Sequence, residues 1–242
     1  MNDFYQNRVV AFLDIIGFSA LVEELEKNPK LHSELQMALK MIGAYKSLAG
    51  KEGFAQKDLE ISVFSDSIVI SAMPDKINAV IFSCAHLQAQ LAHLGILLRG
   101  AISSGLTIHE GDILYGKGML NAYHMENSSS VYPRIVVDPE LLSGLDARYS
   151  EIFLNEDHDG LFYVDFFSIG FVPSGAEALA AEGYDPYSIG LEEMEGIISR
   201  GISKSANTNH LMKWNWMKSK ISRYSEFLQN SKMPKVDFRL KK

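Results

Sequence analysis

Two aspartates stand where apolar runs end. Asp14 closes "VVAFLD" (residues 9–14), and Asp66 lies between "LEISVF" (59–64) and "SIVISAM" (67–73). Each flanking run is short, apolar and rich in β-branched residues, the pattern of a buried strand. Taken singly, an aspartate after a strand is an ordinary N-cap, and one in a tight turn is ordinary turn chemistry. Two carboxylates brought together repel unless a cation neutralises them. Oxygen donors of this kind suit Mg²⁺ or Mn²⁺, and two such ions can bridge a triphosphate. Directly after Asp14 comes "IIGFS" (15–19), which offers backbone N–H groups at the start of an amphipathic helix. Gly17 lets the backbone approach a ligand closely, so this turn reads as a phosphate cradle built from main chain and helix dipole.

The surrounding elements must bring these residues together. The spacing predicts a strand over 8–14, helices over 17–27 and 31–50 separated at Asn28-Pro29, and strands over 59–66 and 67–73 joined by a tight hairpin with Asp66 at its tip. A helix over 75–94, a strand and turn over 97–111, a returning strand over 112–116 and a helix over 117–127 follow. A strand over 134–138, a helix opened by Asp138-Pro139, a strand over 160–167 and helices over 176–182 and 190–230 complete the reading. The order β-α-α-β-β-α-β is that of a split βαβ, ferredoxin-like α+β (α/β) core. In such a unit the first strand lies beside the hairpin strands, which carries Asp14 and Asp66 to one edge of the sheet. Residues 1–170 are expected to form this domain. Residues 171–242 are expected to be a mainly helical extension packed on the same domain or on a dimer partner.

Composition limits the classes of function. The chain has 242 residues, 47% of them hydrophobic, and a net charge of −7. No nucleic-acid or anionic-membrane partner is expected from that balance. With a single cysteine, Cys84, no internal disulfide and no cysteine-based zinc cluster can form. No leader pattern and no apolar run long enough for a membrane helix stand out, so a cytoplasmic protein is expected. The basic, aromatic stretch "KWNWMKSK" (213–220) places Trp214, Met217 and Ile221 at helical spacing, the mark of a packing face.

"FLDIIGFS" (12–19) resembles the signature of the class III nucleotidyl cyclases, and "VFSDSIVIS" (63–71) resembles the second metal-aspartate hairpin of that family. "LRGAISSGLTIHEGDILYGKGMLNAYHME" is similar to the family's run from an arginine-bearing strand through a glycine turn into an active-site helix. "RGAISSG", "YGKGMLNAYHMEN" and "YPRIVV" look closer still to the pyrimidine cyclases of the bacterial antiphage system called Pycsar. The resemblance covers roughly residues 8–140. It implies the class III cyclase catalytic fold and two Mn²⁺ or Mg²⁺ ions held by Asp14, Asp66 and the Ile15 carbonyl. It also implies amides of Ile16, Gly17, Phe18 and Ser19 on the phosphates, and a homodimer with sites shared between two copies. A 3′-hydroxyl would attack the α-phosphate, releasing pyrophosphate and a 3′,5′-cyclic nucleotide.

The chain departs from that family in two places. Where purine cyclases carry Lys or Glu to read the base, four residues before the second aspartate, this chain has Ser62. Where they carry an Asn and an Arg four apart on the helix, it has Leu120 and His124, with Asn121 one step away. Arg99 is the first candidate for the missing cation and Arg134 the second, because a planar guanidinium suits a phosphoryl centre. Tyr115 and Tyr123 could stack on a base or belong to the core. The missing purine-reading residue and the Pycsar-like phrases together point to a smaller base, uracil or cytosine; UTP is favoured over CTP, a choice that no residue derives. The alternatives are a purine cyclase and a catalytically inactive nucleotide-binding module.

Overall fold

A computed structural model describes residues 5–48, 59–169, 182–183 and 186–229. The chain divides into two compact units, Met1–Phe166 and Phe167–Lys242.

The first unit runs β1 (Gln6–Ile15), α1 (Phe18–Leu25), α2 (Pro29–Leu48), β2 (Leu59–Phe64), β3 (Ser67–Ala72), α3 (Ile77–His93), β4 (Leu98–Glu110), β5 (Ile113–Gly116), α4 (Lys117–Ser129), β6 (Ile135–Val137), α5 (Ala147–Phe153), β7 (Leu154–Glu156) and β8 (Phe162–Val164). Its strands form one sheet in the order β2-β3-β1-β4-β6-β8-β7, with β5 folded back on β4. The first four strands are antiparallel neighbours in the order β2-β3-β1-β4, which is the ferredoxin-like arrangement expected from the element order. β6 then adds in parallel beside β4.

β1 lies at the centre and reads as an almost continuous apolar run because both its faces are covered. Val9, Ala11, Leu13 and Ile15 are buried on one face. On the other, Val10 and Phe12 pack with Val69 and with Ala122 of α4. The alternation continues at both ends of that second face with polar residues, Arg8 and Asp14. The sheet therefore places a carboxylate at the end of a face whose middle is core.

Glycine sets how closely α4 lies on β4. A Cβ on Gly118 would stand 2.6 Å from Thr107 Oγ1 and 3.0 Å from the Gly105 backbone, and one on Gly116 would meet Leu106 O at 2.4 Å. Main chain touches main chain at the start of this helix.

Several boundaries differ from the sequence expectation. The helix expected after Asp138 is a single 3₁₀ segment, Pro139–Gly144, whose start is capped by the Asp138 carboxylate accepting from Glu140 N at 3.1 Å. The strand expected over 160–167 is only three residues, and α5 and β7 were not anticipated, being too short to show a period. The helix expected over 176–182 lies outside the described residues except for the turn at 182–183.

The second unit contains α6 (Pro186–Ser203) and α7 (Thr208–Gln229). These replace the single helix expected over 190–230. The break is local chemistry: Asn207 Oδ1 accepts from His210 N at 2.9 Å and starts a new helix. Trp214, Met217 and Ile221 are buried, as their spacing implied. Gly201 receives the Trp214 ring so closely that a Cβ there would stand 2.2 Å from Cε2. Gly201→Leu is therefore expected to cost about 1–3 kcal/mol by overpacking, read as a lower urea midpoint for the loss of tryptophan burial.

Candidate active site

The register of β1 carries the site. In the antiparallel β1–β4 pair Asp14 lies directly opposite Arg99, and in the β1–β3 pair it lies opposite Ser67. Cross-strand partners share a face. Arg99 Nε donates to Asp14 Oδ2 at 2.9 Å, and Arg99 Nη1 donates to Ser130 O at 3.4 Å. Asp66, one residue before Ser67, occupies the two-residue loop between β2 and β3, and its carbonyl accepts from Ile15 N at 2.9 Å. Ser65 beside it has φ 56°, the positive φ that short hairpin loops require. The backbones carrying the two aspartates are thus hydrogen-bonded neighbours at one sheet edge. Both residues are half-buried.

α4 adds a residue that the motif reading passed over. Gly118, Ala122 and Glu126 recur at intervals of four, so they share one helix face. Ala122 rests on the β1 core, and one turn later Glu126 reaches Arg99, with Oε1 2.9 Å from Nε. The Glu126 side chain is only 2% exposed, and its Oε1 receives no hydrogen bond. Burial pushes its carboxyl above the usual range, Arg99 pulls it back, and Asp14 adds to the upward push. The stripe of two small residues followed by an acid, ending over the "RG" of β4, was the sequence signal available for it.

The turn after Asp14 has the expected form in part. Gly17 has φ 74° and opens α1, and no side chain caps the helix start. The amide of Ile16, however, donates to Leu97 O at 2.9 Å. That corrects the four-amide cradle: Ile16 ties the turn to the chain before β4, and Gly17, Phe18 and Ser19 remain at the uncapped end, where orphan N–H groups favour an anion.

Arg134 is corrected more fully. It is 1% exposed and donates to Asp157 Oδ2 at 2.5 Å, to both oxygens of Asp159, and to Ser129 O at 3.2 Å. The Tyr132 ring lies 5.5 Å from its guanidinium carbon. A guanidinium so engaged is a strut beneath the loop after α4, with no fork left for a phosphate.

The positions of the family's helix pair are solvent-facing. Leu120 is 55% exposed, and His124 is exposed beside Tyr123. Asn121 Nδ2 donates to Ser104 O at 3.0 Å, which binds α4 to β4. Tyr123 meets Phe12 edge-on, and Tyr115 meets Tyr5 edge-on; both tyrosines are exposed.

Ser62 is the partly buried end of a chain of hydrogen bonds. Arg8 Nε donates to Ser71 Oγ at 2.9 Å, Ser71 Oγ is 2.8 Å from His109 Nδ1, and His109 Nε2 is 2.9 Å from Ser62 Oγ, which donates to Gly111 O at 3.0 Å. Gly111 O only accepts, so it takes the Ser62 hydroxyl hydrogen and His109 Nε2 must donate to Ser62 Oγ; in a neutral ring Nδ1 then accepts from Ser71. This chain pins the β4–β5 hairpin across β3 and β2.

Among the described residues, no group of three or more His, Cys, Asp or Glu forms a metal cage, and no helix is long and apolar enough to cross a membrane. The donors present nevertheless fit a hard divalent ion. Two carboxylates and a carbonyl, all oxygen, are what Mg²⁺ uses when substrate phosphates and water complete its shell. The local cluster of Asp14, Glu126 and Arg99 also carries more negative than positive groups.

No family model and no curated protein matches the chain. Among solved structures it is similar to the adenylyl cyclase CyaB from P. aeruginosa, with 18% identity over 66% of this chain and 94% of that one, at a TM-score of 0.46. Adenylate cyclases from Trypanosoma brucei in their monomeric state match at 15% identity over 66% and 88%, TM-score 0.46. The monomeric guanylyl cyclase domain of the RhoGC fusion protein from Blastocladiella emersonii matches at 14% over 66% and 95%, TM-score 0.43.

Proposed function

We propose that the chain is a nucleotidyl cyclase of the class III type, converting a pyrimidine nucleoside triphosphate, UTP before CTP, to its 3′,5′-cyclic monophosphate and pyrophosphate. The observation that carries this reading is the pairing of Asp14 and Asp66 on adjacent backbone at one sheet edge, beside the uncapped start of α1. Asp14, Asp66 and the Ile15 carbonyl would hold two Mn²⁺ or Mg²⁺ ions. Such ions, when bound, activate the attacking hydroxyl and neutralise the triphosphate. The amides of Gly17, Phe18 and Ser19 would bind the β- and γ-phosphates, while Arg99 keeps positive charge beside Asp14. Positioning and charge neutralisation carry such a step more than any protein general base does.

The pyrimidine preference is supported by Ser62. Its short side chain is spent on His109 and Gly111, so it offers no long ammonium or carboxylate to a purine edge. A role for the cyclic product in defence against phage rests on the resemblance of "RGAISSG" and "YGKGMLNAYHMEN" alone. A homodimer, in the cytoplasm, is part of the same reading. Phe64 at 83% exposure, with Ile113 and Leu120 also exposed, is apolar surface suited to a second copy.

A second reading, a nucleotide-binding module without turnover, is favoured by Leu120 and His124 in place of the helix pair. One experiment separates the two. Purified protein is incubated with Mn²⁺ and each of ATP, GTP, CTP and UTP, and products are identified by mass spectrometry. Cyclic UMP or cyclic CMP is expected. A cyclic purine product would overturn the base assignment. Nucleotide binding by calorimetry without any product would favour the second reading.

A further inference from the structure

Two carboxylates lie 2.9 Å from one arginine nitrogen, Arg99 Nε. Arg99 Nε carries a single hydrogen, and it is given to Asp14 Oδ2 at 2.9 Å. Glu126 Oε1 stands at the same distance from the same nitrogen, buried and without a hydrogen bond. A buried acceptor left in this condition is costly. The main-chain contact of Gly105, Gly116 and Gly118 fixes the start of α4 on β4, so Glu126 cannot withdraw by letting the helix ride up.

This arrangement has a direct use if Asp14 is to bind a cation. An arginine hydrogen-bonded to a metal carboxylate competes with the metal for that oxygen, and its charge repels the ion. With Glu126 Oε1 also 2.9 Å from Nε, Arg99 has a second carboxylate within reach of its Nε hydrogen. Asp14 is released, and the guanidinium stays neutralised. We infer that Glu126 is a positioning residue for the metal carboxylate, the acceptor that takes the Arg99 hydrogen bond when a divalent cation claims Asp14.

The inference rests on Asp14 as a metal ligand, and it is tested without nucleotide. Mn²⁺ alone is titrated into the full chain and followed by electron paramagnetic resonance, for wild type, Asp14→Asn, Glu126→Gln, Arg99→Gln and the Arg99→Gln/Glu126→Gln double variant. Glu126→Gln keeps an acceptor oxygen but removes the charge that offsets the guanidinium once Asp14 is claimed, and is expected to weaken Mn²⁺ binding by about 10- to 100-fold, the usual effect of losing a partner behind a metal ligand. Arg99→Gln is expected to bind at least as tightly as wild type. Adding Glu126→Gln to it should change nothing, because Glu126 acts only through Arg99. A structural role for Glu126 would weaken binding in both backgrounds, and that result overturns the inference. So does wild-type affinity in a folded Glu126→Gln protein. If Glu126→Gln does not fold, weaker binding by Arg99→Gln is sufficient to overturn it. Mn²⁺ binding that Asp14→Asn leaves untouched sinks the metal reading of Asp14, and this inference with it.

Discussion

Asp66→Asn is expected to leave the fold intact and to lower cyclic nucleotide formation to about a thousandth of the wild-type rate or less, a loss of about 4 kcal/mol of transition-state stabilisation. The two halves of that result have separate causes. Asp66 meets the rest of the molecule through its backbone, whose carbonyl accepts from Ile15 N and which an asparagine keeps. Its carboxylate makes no hydrogen bond or ion pair among the described residues, so little stability is lost with it. What is lost is one of two oxygen anions at the sheet edge, and a divalent ion held by Asp14 alone is held without its second charge. Pyrophosphate release under saturating Mn²⁺ measures the activity, and circular dichroism with a urea titration measures the fold. Activity within tenfold of wild type would remove Asp66 from the site. Asp14→Asn tests the partner ligand less cleanly, because it also takes from Arg99 its charged partner.

Arg134→Met carries the largest expected effect on stability, a loss of about 3–5 kcal/mol. Asp157 is 2% exposed on its side chain and accepts from His158 N as well as from Arg134; removing the arginine takes the guanidinium away from a buried carboxylate. Asp157→Asn placed in the Arg134→Met background should recover part of the loss, which a urea-denaturation double-mutant cycle would read. The pair with Asp159 adds a pH signature. The hydrogen bond from Arg134 holds the Asp159 carboxyl below the ordinary carboxylate range. A depressed folded-state value means that its contribution is complete above the unfolded value, about pH 4, and disappears as pH falls through the lower folded value. Wild type should therefore lose stability more steeply in acid than Arg134→Met does, and the two curves should approach each other there. Parallel curves down to the acid limb would show that Asp159 contributes nothing through this contact.

The part of this architecture that could be read from sequence is the part made by periodicity. β1 declares itself as a buried central strand because both its faces are apolar, and the hairpin at Asp66 because two strand patterns meet with no room for a loop. The pairing of Asp14 with Asp66 followed from topology alone. Arg99 was found as a charge inside a strand, but its partner on α4 was not. Glu126 is a long-range contact, created when Gly105 and Gly118 let a helix settle on a strand, and neither glycine announces that in its own neighbourhood. Arg134 failed for a related reason. Whether an arginine is a free fork or a buried strut depends on Asp157 and Asp159, which lie in a turn between strands of three residues each, too short to carry a pattern. The amide of Ile16 was misassigned because a backbone donor looks the same in sequence whether or not a carbonyl such as Leu97 O has taken it.

The glycine seam between α4 and β4 has a consequence for how this protein can change. Where a helix is seated by interlocking side chains, every replacement in the core shifts it a little, and drift accumulates at whatever the helix carries. Here the start of the helix is seated backbone against backbone. Surrounding apolar residues can exchange volume with one another while the end of α4 stays in step with Arg99. The cluster is brittle where the backbones meet, at Gly105, Gly116 and Gly118, and at Gly100 beside Arg99, where a single added methyl would stand under 3 Å from a neighbouring atom.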